Sequence, residues 1–378
     1  MSDTRNNDIL SLDELDELFN SIISDFEGIK KAILDKNVNE VKTKLREVLD
    51  INETDSDITR LSHACFNINY GDSSDTTLLM YAADNSSKEI VDLLIANGAD
   101  VNVKNKNGWT ALMFAAKHDD EEIAKLLIEN GADVNAFSND GTTALLIAIY
   151  SYSYQVTELL IQNGADINVV YKNGNTALLA AIRQKEVELV ECLIKNGADL
   201  NARDSDGMTV LMTAVEATHR KSSTKILKLL IDKGLDINAS DNRGFTALML
   251  ATLRGSIEAF TLLLEKGADV NAKDKDGWTA LMFAANRNDT QIAEILLDNG
   301  AEINQRESID PYRTPLILAV QKNHIEMTEL LIKKGADLTR EDNNRNTPLK
   351  IAIKKAKRAT DIVNLLIEKG AGKEGTWE

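Results

Sequence analysis

Cysteine, proline and aromatic side chains are scarce in this chain: 378 residues hold 2 cysteines, 3 prolines and 5% aromatics. Cys65 and Cys192 cannot make a disulfide framework, and no Cys/His grouping has zinc-ligand spacing, so a reducing compartment fits best. So little proline, with only 20 glycines, argues against a turn-dense β protein and against Pro-rich linkers. No apolar run approaches the roughly 20 residues needed to span a bilayer. The polar start, residues 1–7, lacks the basic and apolar regions of a secretion signal. A cytoplasmic protein with no membrane contact is expected, and delivery elsewhere would need an unconventional signal.

Catalytic signatures are missing too. There is no Walker loop, G-x-S-x-G, H-E-x-x-H or G-x-G-x-x-G. His63 and Cys65 stand two residues apart with no orienting partner, and Cys192 falls in an apolar stripe with Val190, Leu193 and Ile194. No catalytic residue, metal ligand or cofactor is therefore assigned, and the expectation is a protein that is not an enzyme. What the chain does have is 43% apolar residues, enough for a core, and 60 acidic against 43 basic residues, a net charge of −17. That balance favours solubility and disfavours nucleic acid and anionic membranes.

Repetition decides the fold class. A Thr-x-Leu anchor recurs at Thr77, Thr110, Thr143, Thr176, Thr209, Thr246, Thr279, Thr314 and Thr347, mostly 33 residues apart. A Gly-Ala-Asp-hydrophobic-Asn anchor follows in phase at Gly98, Gly131, Gly164, Gly197, Gly267 and, in altered forms, at Gly234, Gly300, Gly335 and Gly370. Within Gly108–Ala116 a threonine caps a short helix with Leu and Ala on one face. After a turn at 118–120, the apolar set Ile123, Ala124, Leu126, Leu127 and Ile128 predicts a longer helix, which Gly131 stops. Each unit is thus expected to run helix, turn, helix, hairpin loop.

These residues resemble the ankyrin repeat, a 33-residue unit whose pattern is G-x-T-P-L-H-x-A-A followed by V-x-x-L-L-x-x-G-A-D-V-N. The resemblance spans about Gly71 to Gly372 and implies an all-α solenoid of nine repeats. Alanine stands at the centre of all nine first helices, from Ala82 to Ala352, where close stacking needs a small side chain. The proline after the capping threonine survives only at Pro315 and Pro348, and the family's histidine is replaced by Met80, Met113, Leu146, Leu179, Met212, Met249, Met282, Ile317 and Lys350. Packing is the expected role of that methionine row, with a partner surface as the other reading.

Four segments are drawn: an acidic amphipathic leader helix over 1–27, a degenerate helical N-terminal cap over 28–70, eight repeats over 71–339 and a ninth, capping repeat over 340–378. The leader opens with a capping box at Ser11–Glu14, places Leu12, Leu15, Phe19, Ile22 and Phe26 on one face, and carries eight acids against one base. It either docks on the first repeat or is offered to another protein. Residues 28–70 read either as one degenerate repeat ending at 49–52 with a long loop after it, or as two, since Asn67-Ile68-Asn69 has the offset from Thr77 that Asn102 has from Thr110. A helix pair followed by a short helix around 58–65 is the preferred form. Insertions fall near 219–223, in the loop 305–312 and near 357–359.

The resemblance implies binding through hairpin fingers and first-helix ends, where basic residues outnumber acidic ones despite the negative chain. Ten positions become candidate partner contacts: Trp109, Lys117, Arg183, Met208, Arg243, Phe245, Arg254, Lys275, Trp278 and Arg287. Phe245 and Trp278, with Arg254 and Arg287 beside them, form the expected centre. The implied function is a non-catalytic adaptor, inhibitor or scaffold, expected as a monomer, that grips a protein segment bearing acidic and apolar side chains. The alternatives are a small enzymatic or regulatory role for residues 1–70, or polyanion binding along the basic groove.

Overall fold

A computed structural model describes residues 12–49, 66–217, 221–355 and 360–371. Among them are twenty α-helices, one short 3-10 turn at Lys172–Gly174 and no strand, only three isolated bridges in hairpin loops. The protein is an all-α repeat solenoid. It forms two compact units, residues 1–172 with 195–198 and residues 173–194 with 199–378.

One repeat shows why the pattern folds as it does. Thr279 sits in extended geometry, and its hydroxyl accepts a bond from the Met282 amide, which starts the helix Ala280–Arg287. Asn288 ends that helix in left-handed geometry, and Asp289 caps the outer helix Thr290–Asp298 through the Ile292 amide. Gly300, at φ 85°, closes the unit. The threonine cap recurs along the chain; Thr110 departs from it, its buried hydroxyl having no partner among the described residues.

The core lies between consecutive helix pairs. All nine central alanines, Ala82 through Ala352, are 0% exposed, as their role between stacked helices requires. Met80, Met113, Met212, Met249 and Met282 are at most 1% exposed, so the methionine row packs, and no partner surface lies there. Lys350 holds the same position in the ninth repeat and is exposed.

Neighbouring repeats are tied by asparagine. Asn102 accepts a bond from the Asp133 amide at 2.7 Å and donates to the Gly131 carbonyl at 2.9 Å; Asn271 does the same to Glu302 and Gly300. Asn69 accepts from the Asp100 amide at 2.7 Å, so 67–69 fills the register position of Asn102. The helices Leu12–Leu34 and Val38–Leu49 supply the helix pair before it, packing on Leu78–Asp84 and Lys88–Ala96 respectively. The boundary drawn at 27/28 falls inside a single unbroken helix. The capping serine Ser11 and the short helix expected at 58–65 lie outside the described residues, as do His63, Cys65 and the turn 357–359. Near 219–223 the inserted residues contribute to a 12-residue outer helix, Lys221–Asp232, where the others described from repeat one onward have nine.

Candidate partner-binding surface

The hairpin fingers are built from a carboxylate and a missing side chain. Asp274 accepts from the amides of Asp276 and Trp278 at 3.0 and 2.7 Å, while its own amide donates to the Trp278 carbonyl, closing the loop. Burial pushes the Asp274 carboxyl above its ordinary value against the opposing pull of those amides. Gly277 adopts φ 82°, and a Cβ there would overlap the Ser308 backbone, because the next finger approaches this closely. Fingers then join in a ladder: the Lys275 amide donates to Arg243 and the Ser308 amide to Asp276, each within 2.9 Å. Asp75, Tyr312 and Arg345 stand where the other repeats have the finger glycine and take the same left-handed geometry, φ 57°, 58° and 55°.

On this ladder Phe245 and Trp278 do not touch each other as a ring pair. Both stack on Phe283, with ring centroids 5.2 and 4.9 Å away. Phe283 projects from the first helix of the same repeat and is 8% exposed, so the two half-buried finger rings are seated on a covered base. The Arg243 guanidinium lies 4.7 Å over Phe245 and that of Arg313 lies 5.8 Å from Trp278. Lys275 and Arg287 are exposed and have no ion-pair partner among the described residues. The result is a rigid aromatic triad rimmed by cations, with the acid Asp276 at the finger tip.

The other unit carries the same stack. Residues 108–116 and 277–285 are both GWTALMFAA, and Trp109 packs on Phe114 at 5.1 Å as Trp278 packs on Phe283. Lys117 lies 5.9 Å from the Phe114 ring.

Several expected partner cations are already occupied. Lys117 pairs with Asp84 at 3.0 Å, Arg183 with Asp204 at 2.7 Å and Arg254 with Glu216 at 2.7 Å. Burial alone would raise the Asp84 carboxyl, but bonds from His118 and Lys117 hold it below the ordinary value. Met208 requires correction. It occupies the finger position of Phe245 and Trp278 but is 8% exposed, because a flexible unbranched thioether can lie into a gap where a ring must stand out. Phe283 and Arg313, which seat the finger rings from behind, stand outside the ten candidate positions. The signal available was an aromatic five residues after the finger tryptophan, present twice.

The inserted loop is closed by one extra methylene. Glu307 stands where the fingers at 72, 204, 241, 274 and 342 have Asp, and its carboxylate reaches six residues on, accepting from the Arg313 amide at 3.0 Å and gripping the Arg313 guanidinium at 2.7 and 2.9 Å. The Glu307 side chain is fully buried, so Arg313 is held beneath Trp278 by a fixed ion pair.

Among the described residues no group of three His, Cys, Asp or Glu side chains could hold a metal ion, and no helix is long and apolar enough to cross a membrane. No curated protein matches the chain. A family model for ankyrin repeats in three copies matches residues 79–171, 145–241, 220–307 and 306–375. The finger ladder, the asparagine ties and the buried alanines give that match its physical content, and the chain belongs to the ankyrin-repeat family.

Proposed function

We propose that this protein is a non-catalytic binding module that holds a protein segment against the finger and first-helix surface of residues 241–313. Ankyrin repeats are in general protein-interaction modules. The observation that carries the finer reading is the triad Phe245, Phe283 and Trp278, stacked at 5.2 and 4.9 Å and rimmed by Arg243, Lys275 and Arg287. Aromatic and arginine side chains dominate binding energy at interfaces, and rings already fixed by stacking lose little entropy on binding.

The partner's chemistry follows from what remains unspent. Arg183, Arg254, Lys117, Arg313 and, at 3.4 Å from Asp241, Arg243 are each engaged by a carboxylate, which weakens the case for a polyanion along the whole groove. The unspent cations beside the triad are Lys275 and Arg287, so the segment carries apolar side chains for the rings and one or two carboxylates for those two groups. Selection from a random peptide library tests this. Peptides enriched by the parent chain should combine Leu or Phe with Asp or Glu and should be lost with Trp278→Ala. Enrichment that survives Trp278→Ala, or that favours basic peptides, would refute the reading.

A further inference from the structure

The segment chemistry just described is present on the chain itself. The stripe of the helix Leu12–Leu34 that buries Phe26, Ile29 and Ile33 continues toward the N-terminus as Leu15 and Phe19. Phe26 is 1% exposed, but Leu15 is 44% and Phe19 56% exposed. Asp13 and Glu17 are exposed on the opposite face of the helix, and Asp16 is exposed on its flank. Across residues 1–27 there are eight acids and one base. The leader is therefore an acidic helix with two uncovered apolar side chains.

We infer that the occupant of the triad surface is the leader helix of a second copy of this chain, giving head-to-tail association. The inference rests on the groove reading proposed above. Phe19 and Leu15, one helical turn apart, supply the apolar side chains for Phe245 and Trp278, while Asp16, on the flank of that stripe, meets Lys275 and Arg287, and the remaining acids of the leader add long-range attraction. The two surfaces differ, so the contact is heterologous and each copy keeps one free leader and one free triad. Association is then open-ended: species larger than a dimer accumulate with concentration. The attraction is partly between exposed charges and weakens as salt rises. The monomer expected from the sequence is the dilute, high-salt state.

Analytical ultracentrifugation of the full chain over a concentration series, at low and high salt, tests the inference with two variants. Phe19→Glu spoils the leader and leaves the triad; Trp278→Ala spoils the triad and leaves the leader. Each alone should remain monomeric, with self-association weakened about thirtyfold or more, the usual effect of losing an interface anchor. Mixed, they should form a one-to-one dimer that grows no further, since one good leader meets one good triad. Unchanged circular dichroism and melting temperatures establish that both variants fold. A parent chain that stays monomeric at every concentration in low salt, as closure of the leader onto its own chain would also produce, overturns the inference. So does a mixture that fails to dimerise when both variants fold. If the parent stays monomeric yet still selects acidic, apolar peptides through Trp278, self-association fails while the groove reading stands.

Discussion

Glu307 carries more than its own loop. Its buried carboxylate closes a finger two residues longer than the others and fixes Arg313 beneath Trp278. Removing one partner of such a pair leaves an uncompensated charge, so Glu307→Ala should cost about 3 kcal/mol, read as a lower urea midpoint. Glu307→Asp should cost much of the same, because the shorter side chain cannot span six residues; equal midpoints for Asp and Glu would contradict this account of the loop. At the other end, Asp72 accepts from Tyr81 at 2.5 Å and from the amides of Ser74 and Thr76, with Lys30 3.5 Å away. Burial opposes its ionisation, but those bonds and the Lys30 charge hold its carboxyl below the ordinary value. A depressed folded pKa stabilises above the unfolded pKa and is lost as pH falls through the folded one. Thermal melts should therefore lose stability below the ordinary aspartate range, and Asp72→Asn should flatten that limb while lowering stability at neutral pH.

Within the elements, one seam differs from the rest. Asn201 occupies the tie position, yet its side chain has no partner among the described residues, and Leu235 stands where most repeats have alanine. A cavity of about 160 Å³ opens there, lined by Leu200, Asn201, Arg203, Leu211 and Leu235 among others. Asn271→Ala, which breaks two inter-repeat bonds, should cost about 1–2 kcal/mol, whereas Asn201→Ala should change stability by less than about 0.5 kcal/mol. Equal losses in urea melts would show that Asn201 also ties its repeats. Ala284→Leu should overpack a full interface at about 1–3 kcal/mol; a coincident melt would place that alanine outside the stack. These elements were legible in the sequence because each repeat restates the same local rules: a threonine cap, a small residue at the helix contact, a glycine at the end. The finger aromatics were legible as positions but not as a stack. Phe283 lies five residues from Trp278 along the chain, and only the turn from finger to helix brings the rings together. Burial of Met208 was hidden for a related reason: position in a repeat fixes the backbone and leaves a flexible side chain to choose its own rotamer.

At the scale of the molecule, net charge gave little guidance to function. The chain carries −17, yet the cations that matter are a few exposed groups beside one aromatic cluster. Five of the finger and helix-end cations, Lys117, Arg183, Arg243, Arg254 and Arg313, are spent on internal carboxylates, which pairing in three dimensions reveals and composition cannot. The central claim is that recognition is concentrated on the Phe245, Phe283 and Trp278 triad and its free cations. The most direct measurement is a titration of one acidic, apolar peptide, taken from the library selection, into the parent, Trp278→Ala and the double variant Lys275→Glu, Arg287→Glu at two salt concentrations. Trp278→Ala should weaken binding about thirtyfold at both salts. The charge-reversed variant should weaken it chiefly at low salt, through slower association. Parent-like affinity in both folded variants would contradict the claim and place recognition on another surface of the repeats.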